Sequence, residues 1–304
     1  MMNEELKKQL RNRRICVVIP TYNNDKTIKT VVEKCLLYCD DVIVVTDGCT
    51  DRTTDILHAI DGITIVSYPQ NRGKGYALKM GFRRALEMGF SYAITLDGDG
   101  QHYPEDIPLF LKANQQHPQS LIIGSRQLEG VDRSKGSSFA NKFSNFWFYV
   151  QTGRALPDTQ TGYRLYPLHR LHGLSLLTSR YEAELELLVF ASWHGVKLVP
   201  IPVQVYYPPR NERVSHFRPG KDFARISVLN TVLCFLAVIY GLPLRLCRAL
   251  MTILRTVYSL LFFLFFTLVV FTPFVWIYTK FGKMTERRRY RLHQLIYHAS
   301  RFVM

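Results

Sequence analysis

Little in this sequence supports a secreted, disulfide-held or nucleic-acid-binding protein. Its 304 residues hold only six cysteines, and Cys16, Cys35, Cys39, Cys49, Cys234 and Cys247 show no zinc-type pairing. Cys35 and Cys39 stand one helical turn apart, a spacing common for half-buried reduced thiols, so neither a disulfide framework nor a cysteine metal site is expected. The opening MMNEELKKQLRNRR is charged and lacks the apolar run of a secretory signal; residues 1–14 read as a basic lead-in. No nucleic-acid recognition module is visible, so the net charge of +15 needs another explanation. A P-loop is missing too. In NRGKGYAL (71–78) Gly75 and Tyr76 follow Lys74, where a magnesium-binding hydroxyl should follow the lysine.

The positive charge is concentrated in the last third. From Val205 onward there are 15 lysines and arginines against three acidic residues. These basic residues flank two stretches with no charge at all, ISVLNTVLCFLAVIYGLPL (226–244) and TVYSLLFFLFFTLVVFTPFVWIY (256–278). Either is long enough to cross a hydrocarbon core of about 30 Å. Basic residues beside apolar runs point to an anionic membrane surface and not to nucleic acid. A two-helix hairpin over residues 223–280 would leave both the folded domain and the basic tail, 281–304, on the cytoplasmic side. It would also place Arg245, Arg248 and Arg255 outside, which a monotopic arrangement avoids.

The rest of the chain alternates. Strand-like runs at 15–20, 41–47, 63–68, 92–97 and 121–126 are separated by helical patterns at 25–39, 50–60, 74–89 and 104–116. Asp25 is a candidate N-cap, Pro104 a helix start and Gly89 a C-cap. This order predicts an α/β domain with a mostly parallel sheet and helices on both faces. Ligands then gather at the carboxyl ends of the strands. The polar clusters PTYNN, TDGCTD, DGDGQH and GSR all fall at such ends.

The richest cluster is LDGDGQHYPED (96–106), where Asp97 and Asp99 follow an apolar strand in a glycine-containing turn. Paired hard oxygens suit Mg2+ or Mn2+, which commonly shares its coordination with the phosphates of a substrate. Gln101 adds a neutral oxygen within reach, while Gly98 and Gly100 permit a tight turn.

Seven blocks in order carry a family resemblance: VVIPTYNN (17–24), VVTDGCTD (44–51), NRGKGYAL (71–78), LDGDGQHYPEDIP (96–108), IGSR (123–126), DTQTGYR (158–164) and YEAELELL (181–188). The chain resembles the family 2 glycosyltransferases of the GT-A fold, near the dolichol-phosphate mannose synthases and bacterial polyprenyl-phosphate glycosyltransferases. The resemblance implies a Rossmann-like mixed sheet that binds a nucleotide sugar, over 15–222, followed by the membrane-associated helical region. It implies nucleoside contacts from Pro20, Tyr22 and Asp47, and a divalent metal, Mg2+ or Mn2+, on Asp97, Asp99 and Gln101. It further implies phosphate contacts from Arg126 and Arg213, with Ser215 in the same closing loop, and a sugar–acceptor pocket shaped by Asp158 and Arg164. Lys74 is a further candidate phosphate contact. Two departures stand out: Asn24 replaces a common glutamate, and residues 127–145 lack a clean acceptor-phosphate pattern, leaving Arg133, Lys135 and Lys142 as substitutes.

The implied activity is inverting transfer of a hexose from a UDP- or GDP-sugar to polyprenyl phosphate at a cell membrane, with the catalytic domain facing the cytoplasm. A lipid phosphate needs no strong general base; an alcohol acceptor would. Asp158, Glu182 and Glu184 are the candidate bases. Transfer to a lipid hydroxyl giving a glycolipid, and a non-catalytic nucleotide-sugar binder, are the alternatives.

Overall fold

The computed structural model describes residues 2–126, 135–171, 173, 177–206, 219–281, 290, 291, 293–295, 297 and 298. The chain divides into two compact units, Met1–Leu242 and Pro243–Met304.

In the first unit, helix α1 (Met2–Asn12) leads into strand β1 (Ile15–Thr21), followed by α2 (Ile28–Leu36), β2 (Val42–Asp47), α3 (Thr53–His58), β3 (Ile63–Tyr68), α4 (Lys74–Glu87) and β4 (Tyr92–Thr95). A short 3-10 turn, Pro104–Asp106, opens α5 (Ile107–Gln116), and β5 (Leu121–Arg126) and α6 (Lys135–Thr152) follow. Then come β6 (Arg164–Pro167), α7 (Leu168–Leu171), α8 (Glu182–Trp193), β7 (Leu198–Val203) and α9 (Pro219–Leu236).

The strands form one seven-stranded sheet in the order β3-β2-β1-β4-β6-β5-β7. β1 and β2 are buried along their whole length on both faces, as continuous valine and isoleucine runs in a parallel sheet must be. Every strand pair is parallel except those made by β6, which lies antiparallel between β4 and β5 with Thr95 opposite Arg164. The expected mixed α/β sheet is therefore present. β6 and β7 had no expectation in the sequence: RLYP is four residues long and starts on a charged side chain, and LVPIPV carries two prolines.

One core layer joins the sheet to α1, α2 and α5 through Leu10, Ile28, Val32, Cys35, Ile107 and Phe110. On the other face α4 lies against β1 and β2, so close that a Cβ on Gly81 would stand 2.5 Å from the Val18 side chain. Gly89 ends α4 in the left-handed conformation, as its sequence position implied. The N-cap of α2 differs from expectation: the helix starts at Ile28, and the Asp25 amide bonds to Asp51 instead.

The first apolar run packs against the domain at a few positions. Its Leu229, Asn230 and Leu233 are buried, Gln151 of α6 donates to Asn230 Oδ1 at 3.0 Å, and Gly241 lies flat against the Trp193 ring. Val228, Phe235, Val238 and Ile239 on the same stretch are exposed.

In the second unit, α10 (Leu242–Phe265, its first residue in the first unit) and α11 (Thr272–Phe281) are apolar in sequence; α10 buries no residue, and Phe274 and Trp276 of α11 are exposed. Wide π-type turns at Ala237–Gly241 and Phe266–Phe271 each precede a proline, Pro243 and Pro273. A proline has no amide hydrogen and pushes away the carbonyl four residues back, so the ladder widens just before it. Thus Leu242 bonds back to Ala237 and Thr272 to Thr267, each five residues away. Ala224–Trp276 is a helical stretch of 53 residues, long and apolar enough to cross a membrane. Arg245, Arg248, Thr252 and Arg255 recur at three- and four-residue intervals and so share one stripe of α10.

Candidate active site

The carboxyl ends of β1 and β2 carry two loops that hold each other. Asn23 sits in the left-handed region, and its side chain both accepts from the Thr50 amide at 2.8 Å and donates to Thr50 Oγ1 at 3.1 Å. Asn24 donates to Thr21 Oγ1 at 2.9 Å, and Asp51 accepts the amides of Asp25 and Thr53. Pro20 pairs with Val45 across the strands, and Tyr22 follows it on the loop, half-buried. Asp47 is buried and accepts the amides of Arg72 at 2.7 Å and Gly73 at 2.8 Å. It therefore brackets the NRGKG loop to the end of β2.

That bracket aims Lys74, the first residue of α4. Its ammonium lies 2.7 Å from Asp97 Oδ1 and 2.8 Å from Glu184 Oε2. Glycines make the approach possible. A Cβ on Gly75 would stand 2.3 Å from Ala183 Cβ, so the starts of α4 and α8 touch backbone to backbone, joined by the Tyr76 amide on the Ser179 carbonyl at 2.9 Å. A Cβ on Gly162 would stand 2.6 Å from the Lys74 nitrogen. The glycines of NRGKG serve helix packing.

Asp97 and Asp99 follow β4 directly. Burial acts to raise the Asp97 pKa, but the Lys74 charge and then His102 outweigh it and hold the carboxyl below its usual range. Burial, with the Asp97 charge added, pushes Asp99 up to about 6. Asp99 Oδ1 accepts the Gln101 amide at 3.0 Å, and the Gln101 carbonyl accepts from Tyr206 at 2.8 Å, which fixes the turn. His102 Nδ1 accepts the Asp97 amide at 3.2 Å, and burial pushes this imidazole down to about 4, so it is a neutral acceptor at pH 7.

Asp97, Asp99 and Glu184 share the one ammonium of Lys74, so the corner keeps an excess of negative charge, and a hard cation fits that excess. Among the described residues no three His, Cys, Asp or Glu side chains form a set able to hold a metal unaided. Mg2+ or Mn2+ held here would complete its shell with water or ligand phosphate, as such ions ordinarily do.

Asp158 and Arg126 meet each other. Arg126 donates through Nε at 2.6 Å and Nη2 at 3.0 Å, and Asn141 and the Gln160 amide complete the carboxylate. Burial acts to raise the Asp158 pKa, but the Arg126 hydrogen bonds and charge leave it lowered. Arg164 is fully buried, and its guanidinium donates to the carbonyls of Glu184 and Thr159, both at 2.9 Å, and to the Tyr166 hydroxyl. It binds β6 to α8 and to the 158–161 loop.

Arg213, Ser215 and Arg133 lie outside the described residues, and Lys142 is exposed on α6. The links that the sequence did not suggest are Glu184 on Lys74, the Asp47 bracket, His102 behind Asp97, and Asn141 on Asp158. The blocks NRGKGYAL and YEAELELL held the first of these, but only folding shows that they meet.

A profile of the family described as Glycosyl transferase family 2 matches residues 16–166. An uncharacterised protein of Methanocaldococcus jannaschii is 30% identical over 200 residues, covering 64% of this chain and 82% of that one. A UDP-N-acetylglucosamine–dolichyl-phosphate N-acetylglucosaminyltransferase of Methanococcus voltae is 28% identical, covering 64% and 86%. An undecaprenyl-phosphate mannosyltransferase of Micrococcus luteus is 27% identical, covering 62% and 82%. Among solved structures, glucosyl-3-phosphoglycerate synthase of Mycobacterium tuberculosis, in complex with Mn2+, UDP and phosphoglyceric acid, has the same fold at a TM-score of 0.58 and 19% identity, covering 77% and 82%.

Proposed function

This chain belongs to glycosyl transferase family 2, and on that premise we propose that it moves a hexose from a UDP- or GDP-linked sugar to a polyprenyl phosphate at a membrane surface. The observation that carries the reading is the acidic corner after β4, where Asp97 and Asp99 stand side by side with Lys74 against Asp97. Relatives named for transfer to dolichyl and undecaprenyl phosphate support the acceptor class.

Asp97, Asp99 and Gln101 would hold Mg2+ or Mn2+, which when bound supplies positive charge for the departing nucleoside diphosphate. Lys74 adds a second positive charge at the same corner, already fixed before the donor arrives. The Asn23–Thr50 and Asp47–Gly73 ties hold the nucleoside-side loops in one conformation, so little ordering remains to be done on binding. His102, neutral, keeps the Asp97 backbone in register without adding charge.

The acceptor attacks the anomeric carbon opposite the leaving group and inverts it. A phosphate oxygen is anionic at neutral pH and needs only to be held in line. The carboxylates suggested as bases are otherwise engaged: Asp158 accepts from Arg126, Asn141 and Gln160, and Glu184 holds Lys74. This favours a phosphate over an alcohol acceptor. Glu182, buried with Oε2 unpartnered, is the carboxylate that would suit a lipid hydroxyl.

The exposed apolar helix Ala224–Trp276 supports a place at the membrane, where such an acceptor resides, with the catalytic unit on the cytoplasmic side, where sugar nucleotides are supplied. Membranes holding the protein, given polyprenyl phosphate and labelled UDP-glucose, UDP-N-acetylglucosamine or GDP-mannose, test the proposal. Acid-labile labelled lipid is the expected product. Acid-stable glycolipid would move the acceptor to a hydroxyl, and no product would leave a binder.

A further inference from the structure

We infer that Glu184 is a positioning residue of the donor site, acting through Lys74 to keep that ammonium beside Asp97. The inference rests on the glycosyl-transfer reading above. Lys74 has two carboxylate partners that differ in their access to solvent. The Asp97 side chain is 28% exposed and faces the site, whereas that of Glu184 is 8% exposed and enclosed. A ligand cation or its hydration shell can therefore reach Asp97 but not Glu184. An ammonium taken out of water needs an anion against it. Once Asp97 turns its oxygens to a cation, Glu184 is the partner that still holds Lys74.

The framework under the pair is rigid. Lys74 begins α4 and Glu184 lies in the first turn of α8, and the two helix starts meet at Gly75 and Ala183. The Glu184 carbonyl is anchored by Arg164 at 2.9 Å. The dependence is mutual: Glu184 Oε1 is buried without a partner, so the carboxylate relies on Lys74 for its compensation. Parting the two strands a charge on each side. Without Glu184, Lys74 has only a ligand-competed partner and leaves its seat, and the diphosphate loses a fixed positive charge.

The alternatives give opposite results. If Glu184 were only one more negative charge near a diphosphate, removing it would tighten nucleotide binding. If it were a base acting on the acceptor, it would not affect nucleotide binding, and Glu184→Gln would bind like wild type.

The test is calorimetric binding of UDP and of GDP, each with Mn2+, to the full chain in detergent, for wild type, Glu184→Gln, Lys74→Met and the double variant. Glu184→Gln and Lys74→Met should each weaken binding of the nucleotide that wild type prefers by about 10- to 100-fold, the scale of a charge-assisted hydrogen bond. The double variant should bind no worse than Lys74→Met alone, because the two side chains act as one. Glu184→Asp keeps the charge with a shorter reach and should fall between wild type and Glu184→Gln; it carries the test if Glu184→Gln does not fold. Binding by Glu184→Gln, or by Glu184→Asp in its stead, as tight as wild type or tighter overturns the inference, as do multiplying losses in the double variant. Wild type binding neither nucleotide would overturn the glycosyl-transfer reading along with it.

Discussion

Asp97 and Asp99 are adjacent carboxylates with opposite electrostatic fates, because Lys74 lies against only one of them. Removing the less compensated one relieves repulsion in the folded protein. Asp99→Ala should thus lower sugar transfer by about 10²- to 10³-fold, the scale for losing a preorganised stabilising group, while its unfolding temperature stays level or rises. Full transfer by that variant would remove the role given to the pair. Asp158 differs, since it is fully buried against Arg126. Asp158→Asn removes the buried anion that this guanidinium grips in two places and should cost about 3–5 kcal/mol of stability. The sign with pH follows from its lowered folded pKa. The stabilisation is present above the unfolded value of about 3.9 and is lost as pH falls through the folded one. The gap in unfolding temperature between wild type and Asp158→Asn should therefore narrow below about pH 4, and a gap constant with pH would contradict this.

The contact between α4 and α8 sets where Lys74 points. Gly75→Ala drives a methyl into Ala183 and should destabilise by about 1–3 kcal/mol, the usual cost of overpacking. It should also weaken nucleotide binding, because the clash shifts Lys74. Gly220→Ala is the control: no atom lies within 4 Å of the added Cβ, so stability should hold or improve slightly. These elements also show what the sequence could disclose. The five strands from Ile15 to Arg126 were legible because each contains a short β-branched or aliphatic run bounded by polar or turn residues. β6 was not, since a buried Arg164 looks like a surface charge until the carbonyls of Glu184 and Thr159 are seen to satisfy it. Asp97 and Asp99 were legible from local spacing. Glu184 was visible as an acidic residue but not as the partner of a lysine 110 positions earlier, because no local pattern encodes that contact. Asn230 and Gly241 interrupt the first apolar run in sequence, and they are points at which α6 and the Trp193 ring pack against it.

For the whole molecule, the uneven charge of the sequence accompanies an exposed apolar helix. Ala224–Trp276 exposes a row of valine, leucine and phenylalanine side chains, and the arginine stripe of α10 accompanies them. Under the proposed function, insertion of this stretch into lipid would make membrane attachment hydrophobic first and electrostatic second. Washing membranes at about 1 M salt, where charges are screened within about 3 Å, should leave the protein bound, and detergent should release it. Release by salt alone would reduce the attachment to charge. The most direct measurement for the account is uptake of Mn2+ by the full chain, followed by the loss of the free-ion electron paramagnetic resonance signal, with and without UDP or GDP. Wild type should bind one ion per chain far more tightly once its nucleotide is present, and Asp99→Ala should not. Equal uptake by both proteins, or none by wild type with either nucleotide, would contradict it.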